Sequence, residues 1–325
     1  MSYSRKSLDE LNVLDDFLIN AIASDPEVGA PFCRTLLSVL LQKEIRQVRV
    51  IAQRSIPAPS PNMRGIRMDV EVEEIDGTDQ VQIEESGSAD LAKSGLYSPY
   101  ICNVYDIEPH LRNDVNLPKH NRFYQAKIDS RYLHSGDRDF DHLPNLYILT
   151  ITNYDPFGYD YMMYTIQNRC IEVPDLDYRD GVQLIYFYTG GNKGGCKAIH
   201  SMLKYLQTST PNNATDSATR KVHGFVSRVK TQPEVRLEYM TFEDYIYFER
   251  RDAAREAAQK TALSTTIQNI LDLLDDYGEV PEELMDYLNA QMNLSILKEW
   301  HKLASRTSGI EAFMEEIGCS ATTVS

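Results

Sequence analysis

Asp69 and Glu108 are the acids whose surroundings suggest chemistry. Asp69 lies where Ile66, Met68, Val70 and Val72 alternate with Arg67, Asp69, Glu71 and Glu73, the pattern of a half-buried strand. Glu108 ends CNVYDIE, a second strand candidate. The segment from Leu111 to Tyr132 follows, with Arg112, Lys119, Arg122, Lys127 and Arg131 against only Asp114 and Asp129. Hydrolysis of a phosphodiester needs a cation to neutralise nonbridging oxygens and to lower the pKa of a water. Magnesium takes oxygen ligands, commonly one or two carboxylates with water and substrate completing its shell. Two acids on neighbouring strands, followed by a basic helix, would supply that arrangement. On residue types alone the plainer reading also stands, because the chain has 48 acids and most acids on a protein are solvated surface.

Several elements must position these residues. Leu8, Leu11, Leu14, Leu18 and Ile22 predict an amphipathic first helix ending near Asp25-Pro26, and Pro31 to Leu41 predicts a second. Gln47 to Ser55 reads as a strand before a proline-rich turn. After the Asp69 strand, Asp76-Gly77 opens a polar insert running to about residue 100, read as a long loop. Pro118 to Leu133 predicts a helix with proline in its favoured first turn. Leu146 to Thr152 is a near-continuous apolar run, as in a central strand buried on both faces. Met162 to Ile171 and Val182 to Tyr188 add two strands, and Ala198 to Leu206 a short helix. The order gives an α/β core with a mixed central sheet and a helical C-terminal extension.

The segments MRGIRMDVEVEE, VYDIEPH, NLPKHNRFYQAKIDSRYLHSG, LTITNYDPFG and YTIQNRC, in that order, resemble the Rpn family. These are the recombination-promoting nucleases, also described as PD-(D/E)XK nuclease family transposases. The likeness covers about Leu14 to Gly190 and includes LDDFLIN and the DPFGYDYMMYTIQNRC block. It implies a PD-(D/E)XK, restriction-endonuclease-like core and a Mg²⁺-dependent (or Mn²⁺-dependent) DNA endonuclease, tied to recombination, mobile elements or phage defence. Asp69 matches the aspartate of the first active strand and Glu108 the glutamate of the second, both as metal ligands. Glu84, in QVQIEES, is the rival second ligand at a more compact hairpin spacing.

The chain departs from the family pattern at one place. The signature continues Glu-x-Lys or Glu-x-Gln, whereas here it reads Glu108-Pro109-His110. Lysine would position the attacking water as a permanent cation, and histidine is not one, although it can donate, accept or act as a base. Pro109 removes a backbone donor, which suggests that the strand ends or bulges there. Gln125, in the family-like RFYQ, is a second candidate to orient water, and Lys119 and Arg122 are candidate phosphate clamps. Arg122, Gln125 and Asp129 share one helix face, which also fits plain solvation. Asp15 and Asp16 offer a further metal-shell carboxylate or a solvated helix start.

Composition bounds the rest. No apolar run reaches the roughly 18 to 20 residues of a membrane span, and the N-terminus turns acidic before any apolar stretch. Five scattered cysteines without a CxxC pair predict neither a disulfide framework nor a structural zinc site, so a cytoplasmic protein is expected. The net charge of −15 is concentrated at the end, with 18 acids against 8 Lys and Arg from Glu234 onward. The expected division is a nuclease core over 1–207, a linker over 208–232 and a helical acidic region over 233–325. Gly190 to Lys197 is glycine-rich but lacks Gly-Lys-Ser/Thr in register, so it reads as a turn. Tyr245, Tyr247 and Phe248 read as a helix core stripe. Leu284, Leu288, Leu294, Leu297 and Trp300 suit docking or self-association, so the expected partners are DNA and a second copy. The competing reading is a catalytically degenerate nuclease fold that serves binding or assembly.

Overall fold

The computed structural model describes residues 6–58, 64–75, 101–133, 140 and 143–319. The insert near 76–100, and Glu84 with it, lies outside the described residues. The chain divides into two compact units, the first running to Tyr239 and the second beginning at Met240.

The first unit is α/β. A six-stranded mixed sheet has the order β1-β4-β5-β6-β8-β7. Its members are β1 (Gln47–Ala52), β4 (Val70–Ile75), β5 (Ile101–His110), β6 (Asn145–Thr152), β7 (Met163–Ile166) and β8 (Val182–Tyr188). β5, β6 and β8 run parallel, while β1, β4 and β7 join antiparallel. The apolar run LYILTIT is central, as expected for a strand with parallel neighbours on both sides. A separate two-stranded ribbon pairs β2 (Ser55–Ile56) with β3 (Ile66–Arg67).

Helices cover both faces. α1 (Asp16–Ser24) and α2 (Gly29–Leu41) bury Leu18, Ile19, Ile22, Phe32, Leu36, Leu37 and Leu40. α4 (Lys197–Gln207) and α5 (Ser217–Thr231) pack with α2. On the other face, α3 (Leu117–Asp129) and Tyr132 pack on Val104, Leu146, Ile148 and Met68. Among the described residues no helix is long and apolar enough to cross a membrane.

Several expectations change. The leucine-rich N-terminus is not one helix. Leu8–Glu10 forms a 3-10 turn and α1 begins only at Asp16, because the Asp15 carboxylate takes the Asn12 N–H at 2.7 Å and fixes the chain before the helix. The Asp69 strand is interrupted at Met68-Asp69, where Gln53 N–H donates to the Asp69 carbonyl and the chain passes from β3 to β4. β5 runs through Pro109 to His110 instead of stopping. Its ladder with β4 reaches only Val70↔Ile107, so beyond that pair β5 has one hydrogen-bonding side, and a strand with an open side tolerates proline. Residues 208–232 are not merely a linker, because α5 buries Val222, Val226 and Val229, and Lys230 donates to the Asp9 and Leu11 carbonyls at 2.9 and 2.6 Å.

Helix α6 (Pro233–Asp275) starts in the first unit and continues into the second. The second unit adds α7 (Glu282–Ala290), α8 (Leu294–Ala304) and α9 (Ile310–Ile317). Leu284, Leu288 and Leu297 are buried with Ile270, Leu274 and Phe313, so this stripe builds the unit's own core rather than waiting for a second copy. Trp300 stacks on Tyr287. Tyr245, Tyr247 and Phe248 are exposed and do not form the expected core stripe.

Candidate functional site

Strands β4 and β5 carry their acids by simple alternation. Residues two apart on a strand share a face, and directly paired residues of antiparallel strands share it too. Glu71 is opposite Asp106 and Glu73 opposite Val104, so Glu71, Glu73, Asp106 and Glu108 lie on the face covered by α3. A face this acidic is tolerable only where the charges are compensated.

Half of it is. The Arg54 guanidinium meets Glu71 at 2.7 Å, and Arg131, from the turn after α3, meets both Glu71 oxygens at 2.5 and 3.0 Å. Arg49 across the ladder donates to Glu73 at 2.6 Å. Glu74, pointing to the opposite face, accepts from Arg46 N–H, Asn103 and Tyr105 at 2.8, 2.8 and 2.6 Å. Arg131, counted in sequence as part of a basic helix, is thus committed to the interior.

The other half is not. Asp106 is fully buried, and among the described residues neither of its carboxylate oxygens has a donor apart from the neighbouring Glu108 carboxyl. The carboxyls of Asp106 and Glu108 act on each other, and a proton held between them, or a cation beside them, relieves the pair. Burial pushes Asp106 up to about 8, against the hydrogen bond to Glu108. Burial, then the charges of Asp106 and Asp69, raise Glu108 well above the usual carboxylate range. The backbone N–H of Asp69 donates to Glu108 Oε1 at 3.0 Å, which seats the second candidate ligand beside the first. Burial and the nearby Asp16 charge raise Asp69 to about 6, and Arg67 opposes them.

The two acids at the start of α1 separate clearly. Asp15 is occupied as a local cap, accepting from Asn12 N–H and from Lys6 at 3.3 Å. Asp16 is the one whose charge reaches Asp69, and it is itself raised by burial and by Asp15, with Arg112 opposing.

His110 stands one strand position pair beyond Glu108, with its ring 5.8 Å from that of His120 on α3. Burial, then the His120 charge, lower His110 below its ordinary value, so the imidazole is neutral near pH 7. His120 packs against Tyr124 at 4.1 Å, and the Tyr124 hydroxyl donates to the Arg67 carbonyl at 3.1 Å. Burial, then the charges of Glu108, Asp106 and Asp69, hold the Tyr124 phenol protonated.

The structure does not bring the remaining candidates to this group. Leu117, Asn121 and Ile128 mark the buried side of α3, and Asn121 donates to Thr150 at 2.8 Å. At about 100° per residue, Tyr124 and His120 fall on the flank toward β4 and β5, while Gln125 falls on the other flank. There it hydrogen-bonds Asp129. Lys119 and Arg122 are exposed on the side of α3 away from the sheet.

Two sequence features find structural explanations. Asp155 of DPFGYD accepts from the N–H groups of Phe157, Gly158 and Asp160 at 3.0, 2.9 and 2.6 Å and from the Tyr164 hydroxyl at 2.8 Å. It is the hub of a turn in which Gly158 has φ +78°. The glycine-rich turn after β8 packs on the same loop, where a Cβ on Gly191 would stand 2.5 Å from Met162 N.

Asp106, His120 and Tyr124 were missed in the sequence, although VYDIE places Asp106 two residues before Glu108, on one strand face. Among the described residues no group of three or more His, Cys, Asp and Glu side chains is arranged to hold a metal. An ion here would rest on the Asp69 and Glu108 carboxylates, with water and substrate completing its shell. The all-oxygen donor set, and the unneutralised Asp106 behind it, fit a hard divalent cation. No protein-family model matches the chain, and neither a curated protein nor a solved structure does.

Proposed function

We propose that this protein is a Mg²⁺- or Mn²⁺-dependent DNA endonuclease with a PD-(D/E)XK-like core, in which Asp69 and Glu108 hold the cation. One observation carries the reading: of the acids on β4 and β5, Glu71, Glu73 and Glu74 each have donors from Arg, Asn or Tyr, whereas among the described residues Asp106 has no partner other than the Glu108 carboxyl. A fold that pairs three arginines directly with Glu71 and Glu73, and among the described residues pairs none directly with Asp69, Asp106 or Glu108, leaves that end of the strand pair for an external cation.

The cation, when bound, supplies positive charge for the phosphoryl oxygens. Each residue then has a defined task. The Asp69 N–H orients Glu108. Asp16 adds a third carboxyl at the rim and Asp106 one from behind. His110, neutral near pH 7, accepts the proton of the attacking water in the position where the family has lysine or glutamine.

The test is nicking of supercoiled plasmid by the purified full chain with Mg²⁺, Mn²⁺, Ca²⁺ or EDTA, beside Asp69→Ala and Glu108→Ala. Metal-dependent nicking lost in both variants is the expected result. Nicking that survives both, or that Glu84→Ala abolishes instead, overturns the ligand assignment. Absence of cleavage by folded protein across all metals would favour the second reading, a binding or assembly protein. In that reading a proton shared between Asp106 and Glu108 is the permanent state of the pair.

A further inference from the structure

Strands β4 and β5 run antiparallel, so the start of β4 and the end of β5 meet at one end of the sheet. Asp69 and Glu108 lie at that end, and any phosphodiester they act on must cross it. The cations able to meet it are few. Arg49, Arg54 and Arg131 are spent on Glu71 and Glu73. Lys119 and Arg122 sit on the solvent side of α3.

Among the described residues, three exposed arginines remain around the acids. Arg67 is two residues before Asp69, at the β3–β4 break, with its carbonyl held by Tyr124. Its guanidinium touches Gln53, which uses only part of its five donors. Arg64 stands just ahead of it in the chain, and its charge reaches Tyr124. Arg112 is four residues beyond Glu108, past the end of β5, and its charge reaches Asp16. The group therefore brackets the acids, with Arg64 and Arg67 before β4 and Arg112 after β5.

We propose that Arg67 and Arg112, assisted by Arg64, are the phosphate-binding residues that hold a DNA duplex backbone across Asp69 and Glu108. This rests on the nuclease reading of the same site. Because the chain carries −15 overall, attraction must come from this local group, and the number of phosphates neutralised is small. Each neutralised phosphate contributes roughly −0.9 to the slope of log affinity against log salt, so three contacts give roughly −3.

The experiment is fluorescence anisotropy of a labelled DNA duplex titrated with the full chain in Ca²⁺ across a NaCl series. Arg67→Gln, Arg112→Gln and the control Arg34→Gln, an exposed arginine on α2 of the opposite sheet face, are compared. Each site variant should weaken binding at low salt and flatten the slope by about 1, uniformly across duplex sequences. Arg67→Lys, which keeps the charge, should restore the slope, which separates lost charge from lost folding. Unchanged slopes in both site variants overturn the inference, as does a clear preference for an RNA hairpin over the duplex. If wild type nicks plasmid while the arginine variants bind normally, the phosphate assignment fails and the nuclease reading stands. If the duplex is held through Arg67 and Arg112 but never cut, the nuclease reading fails and the phosphate contacts stand.

Discussion

The Asp69 N–H donates to Glu108 Oε1 at 3.0 Å and joins two residues that are 39 apart in sequence. The contact fixes Glu108 through backbone rather than through a mobile side chain, so it survives substitution of the Asp69 carboxylate. Asp69→Asn therefore removes a ligand charge without releasing Glu108. Mg²⁺ or Mn²⁺ should stabilise the wild-type protein by mass action, by about 2.7 kcal/mol at one hundred times the dissociation constant, and so raise its melting temperature. In Asp69→Asn this increment should largely disappear, as read by differential scanning fluorimetry. An equal metal-dependent rise in both proteins would place the cation elsewhere.

Asp106 makes the metal-free protein sensitive to pH. Burial raises its carboxyl from the ordinary 3.8 to about 8 in the folded chain. Below the lower value both folded and unfolded chains carry the proton. Between the two values only the folded chain does, so unfolding releases a proton and stability falls as pH rises through this window. Asp106→Asn removes that loss, and its amide can donate to Glu108. In EDTA the variant should melt near wild type at pH 5 and above it at pH 8, by at least the 2–4 °C that about 1 kcal/mol produces in a chain of this size. Parallel melting curves across the pH range would contradict the acid pair.

His110 should shape the acid limb of the rate profile. It is lowered from 6.5 by burial and His120, so it gains a proton and loses basicity only below that pH. Asp69, raised to about 6, titrates in the same region. In wild type kcat/KM should fall as pH drops through this range. His110→Gln should lower the rate near pH 7 by about 100-fold, the scale of general-base catalysis, and should make the limb shallower. A variant with wild-type rate and profile would show that His110 is a strand-end bystander.

Arg131 tests the compensated half of the acid face. Glu71 is completely buried, and Arg131 grips both of its oxygens while Arg54 holds one. Arg131→Met should cost about 3 kcal/mol in urea unfolding, the lower end for breaking a buried ion pair, because Arg54 stays. The double variant Arg131→Met/Glu71→Gln, which removes the stranded charge, should recover part of this. If the double variant is no more stable than the single one, charge compensation is not what holds Arg131.

Helix α5 makes the domain boundary testable. A chain ending at Gln207 would lose Val222, Val226 and Val229 from the core, together with the Lys230 bonds to the N-terminal segment. It should lack a cooperative thermal transition, whereas a chain ending at Tyr239, the edge of the first compact unit, should keep one. Equal melting of the two would restore the linker reading of residues 208–232.

How much of this could be read from the chain depends on the range of the forces involved. Alternation of Ile66, Met68, Val70 and Val72 with charged residues, and the apolar run Leu146 to Thr152, are local patterns that hydrophobic burial converts directly into strands. The same holds for the helix through Gln125, with proline in its first turn. The interruption at Met68-Asp69 was not legible, because it depends on bonds from Gln53 and Arg54 at the other end of a turn. Nor was the folding of residues 208–232, where polar composition concealed three valines at helical spacing.

The sequence by itself determined the order of the main elements and the succession of two acid-bearing strands and a helix. Only the tertiary structure decided which acids are compensated. Glu71 and Glu73 draw direct ion pairs from arginines at positions 49, 54 and 131, while among the described residues Asp69, Asp106 and Glu108 have no ion pair and feel Arg67 only at a distance. It also turned Gln125 away from them and Tyr124 toward them. Residue type fixes what charge a side chain can carry, but burial and distance fix what that charge costs, and both arise only when distant segments meet.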